Sequence, residues 1–294
     1  MTKPDWLTIK PASTEKYSDV KARVKELGLH TVCVEAHCPN ITECWSSGTA
    51  TFMVLGDVCT RGCHFCAVRK SQNGISVDSM EPAKLAEVIR EWKLGYAVIT
   101  SVCRDDLPDQ GASHFAECIK AIKREAPSTL VEVLIPDFRN DIGALRLIVG
   151  AKPDVIGHNI ETVKRLSPSV RDRRASYDIS LSVLNNVKLL DRRIYTKSAM
   201  MLGMGETDDE ITESMRDLRK QNVDFLAIGQ YLRPVSNGFY AEVKEYVTPE
   251  RFEILRKRAM ELGFRYCATG PFVRSSYKAG EHFIKAIVKA RTPV

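Results

Sequence analysis

The sequence predicts an α/β protein, a partial (β/α)6 barrel with N-terminal and C-terminal extensions, on three observations. Short apolar runs rich in β-branched residues recur through the middle of the chain. Segments of helical period follow most of them. A cluster of polar residues closes each run at its C-terminal end. Strand–helix alternation implies parallel strands joined by right-handed crossovers. An open doubly wound sheet would gather only some of the polar clusters at its switch point, whereas a barrel brings all of them to one mouth. The barrel, an incomplete one with six units, is therefore favoured.

The elements follow in order. The first strand is "TATFMVLG" (49–56), and "CTRGCHFC" follows it. "PAKLAEVIREWKLG" then places Leu85, Val88, Ile89 and Trp92 on one helix face, opening on Pro82 and stopping at Gly95. "YAVITSV" (96–102) leads into "CRDDLPDQG" and a helix with Phe115, Cys118, Ile119 and Ile122 on one face, ended by Pro127. "TLVEVLIP" (129–136) precedes "PDFRN", and "PDVIGHN" (153–159) precedes "HNIET". "YTKSAMMLG" (195–203) runs into "GETDDEITESMRDLRKQ", a helix with a Thr cap and an acidic first turn. "VDFLAIG" (223–229) precedes "GQYLRP", and "TPERFEILRKRAMELG" opens on Thr–Pro and ends on Gly. A weaker seventh run, "FRYCATG" (264–270), precedes "GPFVRSS". Three regions result: an N-terminal extension (1–48), the barrel (49–270) and a C-terminal segment (271–294) read as a short tail.

Bulk properties narrow the class. The 294 residues can bury a large core, and 44% hydrophobic with 27% charged is a globular composition. No apolar run approaches the ~20 residues of a membrane span, and "MTKPDWLTIKPAST" lacks the apolar centre of a secretory signal. A cytoplasmic protein is expected, where thiols stay reduced. Nine cysteines there point to metal or catalysis before disulfides. The net charge of +6 is mild, and no basic run or aromatic-interleaved stripe argues for nucleic acid.

Six of the nine cysteines lie in two triplets, Cys33, Cys38 and Cys44 as C-x4-C-x5-C, then Cys59, Cys63 and Cys66 as C-x3-C-x2-C. Tetrahedral zinc and iron–sulfur sites usually take four protein ligands, so each triplet is one short. Zinc would need a further Cys or His, and His64, next to Cys63, is poorly placed to close a compact tetrahedron. Three thiolates on an iron–sulfur cluster leave one iron open, as catalysis often requires. Spacing favours iron–sulfur over zinc without settling the choice.

C-x3-C-x2-C after the first strand of a βα barrel, with an aromatic (Phe65) before the last Cys, resembles the radical S-adenosylmethionine (SAM) superfamily. The stretch from Cys33 to Val68 resembles the lipoyl synthase family within it, as do "TSVCRDDLPDQGA", "HNIETV", "TKSAMMLGMGET", "GQYLRP", "YVTPERF" and "GPFVRSSYKA". The resemblance implies two 4Fe–4S clusters. One sits on Cys59, Cys63 and Cys66 with SAM on the open iron. The other is an auxiliary cluster on Cys33, Cys38 and Cys44, with Ser275 of R-S-S-Y as fourth ligand and Ser276 as the alternative. Two departures stand out: Cys103 replaces the family's usual Asp or Asn, and "VSNGFYAEVKEYV" replaces a commoner His-Leu-Pro-Val form.

For SAM, the resemblance implies that Asn159 and Glu161 bond the ribose, the alternatives being a helix-capping Asn and a solvated Glu. Arg171 faces the methionine carboxylate or is one more charge in "RDRR". Thr100 and Ser101 meet the methionine moiety, Phe65 lies at the cofactor, and Gly203 and Gly205 admit the adenine or simply make a strand-to-helix turn. Lys197 and Ser198 lie within a strand, where an inward Lys needs a partner. Cys118 and Cys267 read as core thiols. His30, His114 and His282 read as structural residues without cluster neighbours, while His37 can bond near the auxiliary cluster.

The activity implied is insertion of two sulfur atoms into an octanoyl chain at C6 and C8. An electron cleaves SAM, the 5′-deoxyadenosyl radical abstracts hydrogen, and the auxiliary cluster is consumed as sulfur donor. An unactivated C–H bond offers no acid, base or leaving group, so cofactor chemistry must act while the protein places the reactants. The implied partners are an octanoylated lipoyl carrier domain (a 2-oxoacid dehydrogenase acyltransferase subunit or the glycine cleavage H protein) and an electron donor such as ferredoxin or flavodoxin. Rival readings are biotin-type sulfur insertion and a plain iron–sulfur carrier.

Overall fold

The computed structural model describes residues 3–8, 14–235, 238–276, 284, 286–288 and 290. Tyr277 of the R-S-S-Y motif and His282 lie outside the described residues. The chain forms two compact units, one of residues 9–62 and 67–156, the other of residues 1–8, 63–66 and 157–294.

The first unit opens with α1 (Glu15–Glu26), whose N-cap Thr14 accepts from the Tyr17 N–H. Strand β1 (His30–Thr31) follows, then two short helices, α2 (Val32–Glu35) and α3 (Ile41–Ser46). Next come β2 (Thr51–Val54), β3 (Val58–Cys59), β4 (Arg69–Lys70), α4 (Glu81–Glu91), β5 (Tyr96–Ser101), α5 (Ala112–Glu125), β6 (Leu130–Leu134), α6 (Ile142–Gly150) and the first two residues of β7 (Val155–Gly157). Strands β2, β5 and β6 are parallel neighbours, with Met53 opposite Thr100 and Ile99 opposite Val133. On the far side of β2, β1 pairs antiparallel, His30 opposite Met53, a pairing that no alternation in the sequence announces. The helix faces read from period are largely buried: Leu85, Val88 and Ile89 of α4, and Phe115, Cys118, Ile119 and Ile122 of α5, are all 0% exposed, while Trp92, the C-cap of α4, is half-buried. Each such side chain stabilises by roughly 1.5–3 kcal/mol, enough to fix both helices.

The second unit holds α7 (Ser167–Val170), α8 (Tyr177–Leu190), β8 (Tyr195–Leu202), α9 (Asp208–Lys220), β9 (Phe225–Gln230), α10 (Pro249–Glu261) and β10 (Tyr266–Gly270). The strands are parallel and in order, Ala199 opposite Ala227 and Ala227 opposite Ala268, so the weak seventh run is a strand. The expected Thr cap is a full capping box: Thr207 accepts from the Glu210 N–H, and the Glu210 carboxylate accepts from the Thr207 N–H. Met200, Leu226, Ile228, Leu184, Met215 and Phe252 share one buried cluster. Among the described residues no helix is long and apolar enough to cross a membrane.

Candidate functional site

The C-x3-C-x2-C loop is closed at its base by two short parallel strands, β3 and β4, with Cys59 opposite Lys70. In the first unit, the Cys59 sulfur accepts from the Arg61 N–H at 3.5 Å and is hydrogen-bonded to the Cys103 thiol. That thiol contact outweighs burial and holds Cys59 below the usual thiol range, which favours the thiolate a metal needs. Cys103 thus engages the cysteine loop directly, although nothing in its spacing announces the contact. Its carbonyl also accepts from the Thr60 N–H and hydroxyl, each at 3.0 Å.

In the second unit, the Cys63 sulfur accepts from the Asp172 N–H at 3.3 Å. Such N–H donors tune an iron–sulfur site. Phe65 packs on the unit's apolar cluster. The His64 Nδ1 lies 3.0 Å from the Ser169 carbonyl, and its ring lies edge-on to Phe239 at 4.9 Å.

The SAM candidates divide between the units. In the first, Thr100 Oγ1 donates to the Leu134 carbonyl at 3.0 Å, while the buried Ser101 hydroxyl has no partner among the described residues. A buried orphan hydroxyl leaves hydrogen-bonding capacity for a polar ligand, which suits the methionine end of SAM. In the second, Asn159 Nδ2 donates to Glu161 at 3.2 Å. Glu161 has φ 67, a left-handed backbone that costs a non-glycine residue roughly 1–3 kcal/mol and gathers at functional sites. The protein packed around its carboxyl pushes its pKa up, with Arg171 and Asn159 opposing only in part. Glu161 is half-buried rather than fully solvated. Arg171 is 7% exposed, and its Nη1 donates to Ser180 Oγ (2.7 Å) and the Ser176 carbonyl (3.1 Å), so it is more than a surface charge.

Gly203 and Gly205 have φ 106 and 107, and a Cβ on Gly203 would lie 2.4 Å from the Glu245 carbonyl. Only glycine fits there. Lys197 is buried, and Ser198 Oγ accepts from the Ile160 N–H at 3.3 Å.

The N-terminal triplet is local to the first unit: Cys33 in α2, Cys44 in α3, and Cys38 between, its N–H bonded to the Cys33 carbonyl. His37 has φ 50 in this turn. Burial pushes the Cys33 thiol up to about 11. Trp45 Nε1 and Ser46 Oγ on α3 are buried without a full hydrogen bond among the described residues, and the Cys33 sulfur is the indole's weak neighbour. An indole donor beside the Cys33 thiol suits a group rich in sulfide acceptors.

At the chain's other end, Ser275 Oγ donates to Asn159 Oδ1 at 3.0 Å. Its segment crosses β9, where a Cβ on Gly229 would lie 2.0 Å from the Val273 carbonyl.

Two histidines differ from expectation. His114 lies 2.7 Å from Glu81 and near Cys118, and His30 converges with Glu35 and Asp57. Glu81 is buried, and His114 with the Leu55 N–H satisfies it, which the i, i+4 spacing of His114 and Cys118 could not reveal. Burial raises the Cys118 thiol well above its usual range and Cys267 to about 12, as fits core thiols.

A model of the radical SAM superfamily matches residues 53–218. The crystal structure of methylornithine synthase superposes with a TM-score of 0.57 at 14% identity, over 71% of this chain and 61% of that one. Fold and cysteine loop thus define the class: a radical SAM enzyme with the partial-barrel α/β fold, using SAM and a 4Fe–4S cluster. The lipoyl synthase of Anaeromyxobacter dehalogenans (strain 2CP-C) is 51% identical over 290 residues, 99% of this chain and 98% of that protein. The apicoplast lipoyl synthase of Plasmodium falciparum (isolate 3D7) is 50% identical over 289 residues, 98% of this chain and 69% of that protein. The chain belongs to the lipoyl synthase family, radical SAM sulfurtransferases.

Proposed function

We propose that the chain inserts two sulfur atoms at C6 and C8 of an octanoyl group carried on a lipoyl domain, using two clusters. The observation that carries this is the pair of three-cysteine groups in a chain of this family. Cys59, Cys63 and Cys66 hold the cluster that, with SAM, supplies the one-electron chemistry starting the reaction. Cys33, Cys38, Cys44 and Ser275 hold the second cluster, which is a sulfur-donating substrate. Asn159, Glu161, Arg171, Thr100, Ser101 and Phe65 seat SAM. The orphan Ser101 hydroxyl and the strained Glu161 support that assignment. A serine oxygen is a harder ligand than thiolate and would hold an iron–sulfur cluster less firmly than a fourth cysteine.

The acceptor is a 2-oxoacid dehydrogenase acyltransferase subunit or the glycine cleavage H protein, the electron donor is ferredoxin or flavodoxin, and the setting is cytoplasmic. Nine free cysteines support a reducing compartment. The test is incubation of the reconstituted protein with SAM, reductant and an octanoylated carrier domain. We expect 5′-deoxyadenosine together with lipoylated carrier by mass spectrometry. No 5′-deoxyadenosine would favour an iron–sulfur carrier. 5′-Deoxyadenosine without lipoylated carrier would point to another radical SAM reaction.

A further inference from the structure

Arg61 lies between Cys59 and Cys63, yet its side chain is only 4% exposed. Its guanidinium forks onto Asp105, Nε to Oδ2 and Nη2 to Oδ1, both at 2.9 Å. Its Nη1 donates to Asp137 Oδ2 at 2.5 Å. Asp105 and Asp137 are 5% and 1% exposed, and Asp105 also accepts from Arg139 Nε at 3.0 Å. The adjacent Thr60 joins the same group, lying 2.9 Å from Asp105 Oδ2 while the Asp105 N–H donates to its oxygen at 3.0 Å. Two residues of the cysteine loop are thereby tied to the segments that follow β5 and β6. The Arg61 main-chain N–H meanwhile points at the Cys59 sulfur.

Stability alone does not account for this arrangement. Taking charges out of water costs several kcal/mol per ion, and well-packed apolar residues often do as well. What the network provides is direction. A planar guanidinium bound along one edge to one carboxylate and by a third nitrogen to another fixes its own orientation, which a lysine ammonium cannot do. Only one residue separates Arg61 from each neighbouring cysteine, so that orientation passes to the loop backbone.

We propose that Arg61 is a positioning residue, forked onto Asp105 and braced by Asp137, that holds the loop in the conformation that captures iron, given the reading that Cys59, Cys63 and Cys66 bind the cluster. Groups that orient metal ligands typically cost about 10–100-fold in metal affinity when removed.

The test uses the full chain with Cys33, Cys38 and Cys44 changed to Ala, so that only the loop's iron is counted. Arg61→Lys, Asp105→Asn and the double variant are reconstituted anaerobically with iron and sulfide. The readouts are iron retained against a chelator, the electron paramagnetic resonance spectrum after reduction, and melting of the iron-free protein. We expect Arg61→Lys to melt like its parent, retain iron about tenfold less well and show a shifted spectrum. The double variant should retain iron no worse than the weaker single variant, because both break one contact. Unchanged retention and spectra in both single variants would overturn the proposal. So would a fall in the melting temperature of iron-free Arg61→Lys that accounts for its iron loss, since the contact would then be merely structural. Cys59→Ala in the same background must lose the iron. If it does not, the cluster assignment fails whatever Arg61 does.

Discussion

Glu161 shows how one residue can carry a conflict. Its backbone is left-handed and the protein around its carboxyl favours the neutral acid. Its pKa is therefore higher folded than unfolded. The folded state is unopposed by this group below the unfolded pKa and loses stability as pH rises through the folded one. Glu161→Gln removes the titration. We expect the iron-free variant to melt with wild type in acid and above it from neutral pH upward, while SAM cleavage falls. Melting curves across a pH series decide the first point, and coincident curves at every pH would refute it.

Ser275 is the other telling side chain, because its hydroxyl rests on Asn159. In the proposed function it leaves that amide to ligate iron. Ser275→Cys should retain iron yet fail at sulfur insertion, and Ser276→Ala should stay active. Full lipoylation by Ser275→Cys would show that oxygen ligation has no chemical purpose. At this scale the two cysteine triplets were legible from their spacing alone. The contact of Cys59 with Cys103, and that of Arg61 with Asp105 and Asp137, were not. Their partners lie 44 or more positions apart, and "CTRGC" and "CRDD" say nothing of meeting.

At the level of elements, β9 and the segment after β10 meet at Gly229, where the Val273 carbonyl occupies the place of a side chain. Gly229→Ala must push that segment away. We expect a loss of about 1–3 kcal/mol from overpacking, read from denaturant unfolding, and faster proteolysis after Gly270. Wild-type resistance to protease would mean that the segment is not held there. Strands β2 and β5 to β10 and helices α4, α5, α9 and α10 were legible, since β-branched runs, apolar period and Thr–Pro or Thr-x-x-Glu starts act locally. α2, α3 and β1 were not. They span two to six residues each, too few for a period to register. Packing against β2 defines β1 and α2, and packing against α1 defines α3, where Tyr17 meets Trp45.

For the whole molecule, the test of the two-cluster proposal is separability. Changing Cys59, Cys63 and Cys66 to Ala should abolish SAM cleavage and leave one cluster's iron. Changing Cys33, Cys38 and Cys44 should leave cleavage measurable and stop lipoyl formation. Iron analysis and 5′-deoxyadenosine yield report each, and loss of all iron from both variants would favour a single shared site. The division of the chain into units could not be read along the sequence. Cys63–Cys66 pack with residues beyond 157 while their neighbours on both sides pack with the other unit, and chain order carries no sign of that exchange.

The two residues of β1 occupy the outer edge of β2, at Phe52 and Met53. A bare strand edge is a template for further strands, and this one is buried along its length and apolar from Phe52 to Val54. The leading segment thus guards the sheet against self-association. Shortened forms that begin at Val32 would keep every cysteine yet present that edge to each other, with solubility failing before chemistry does.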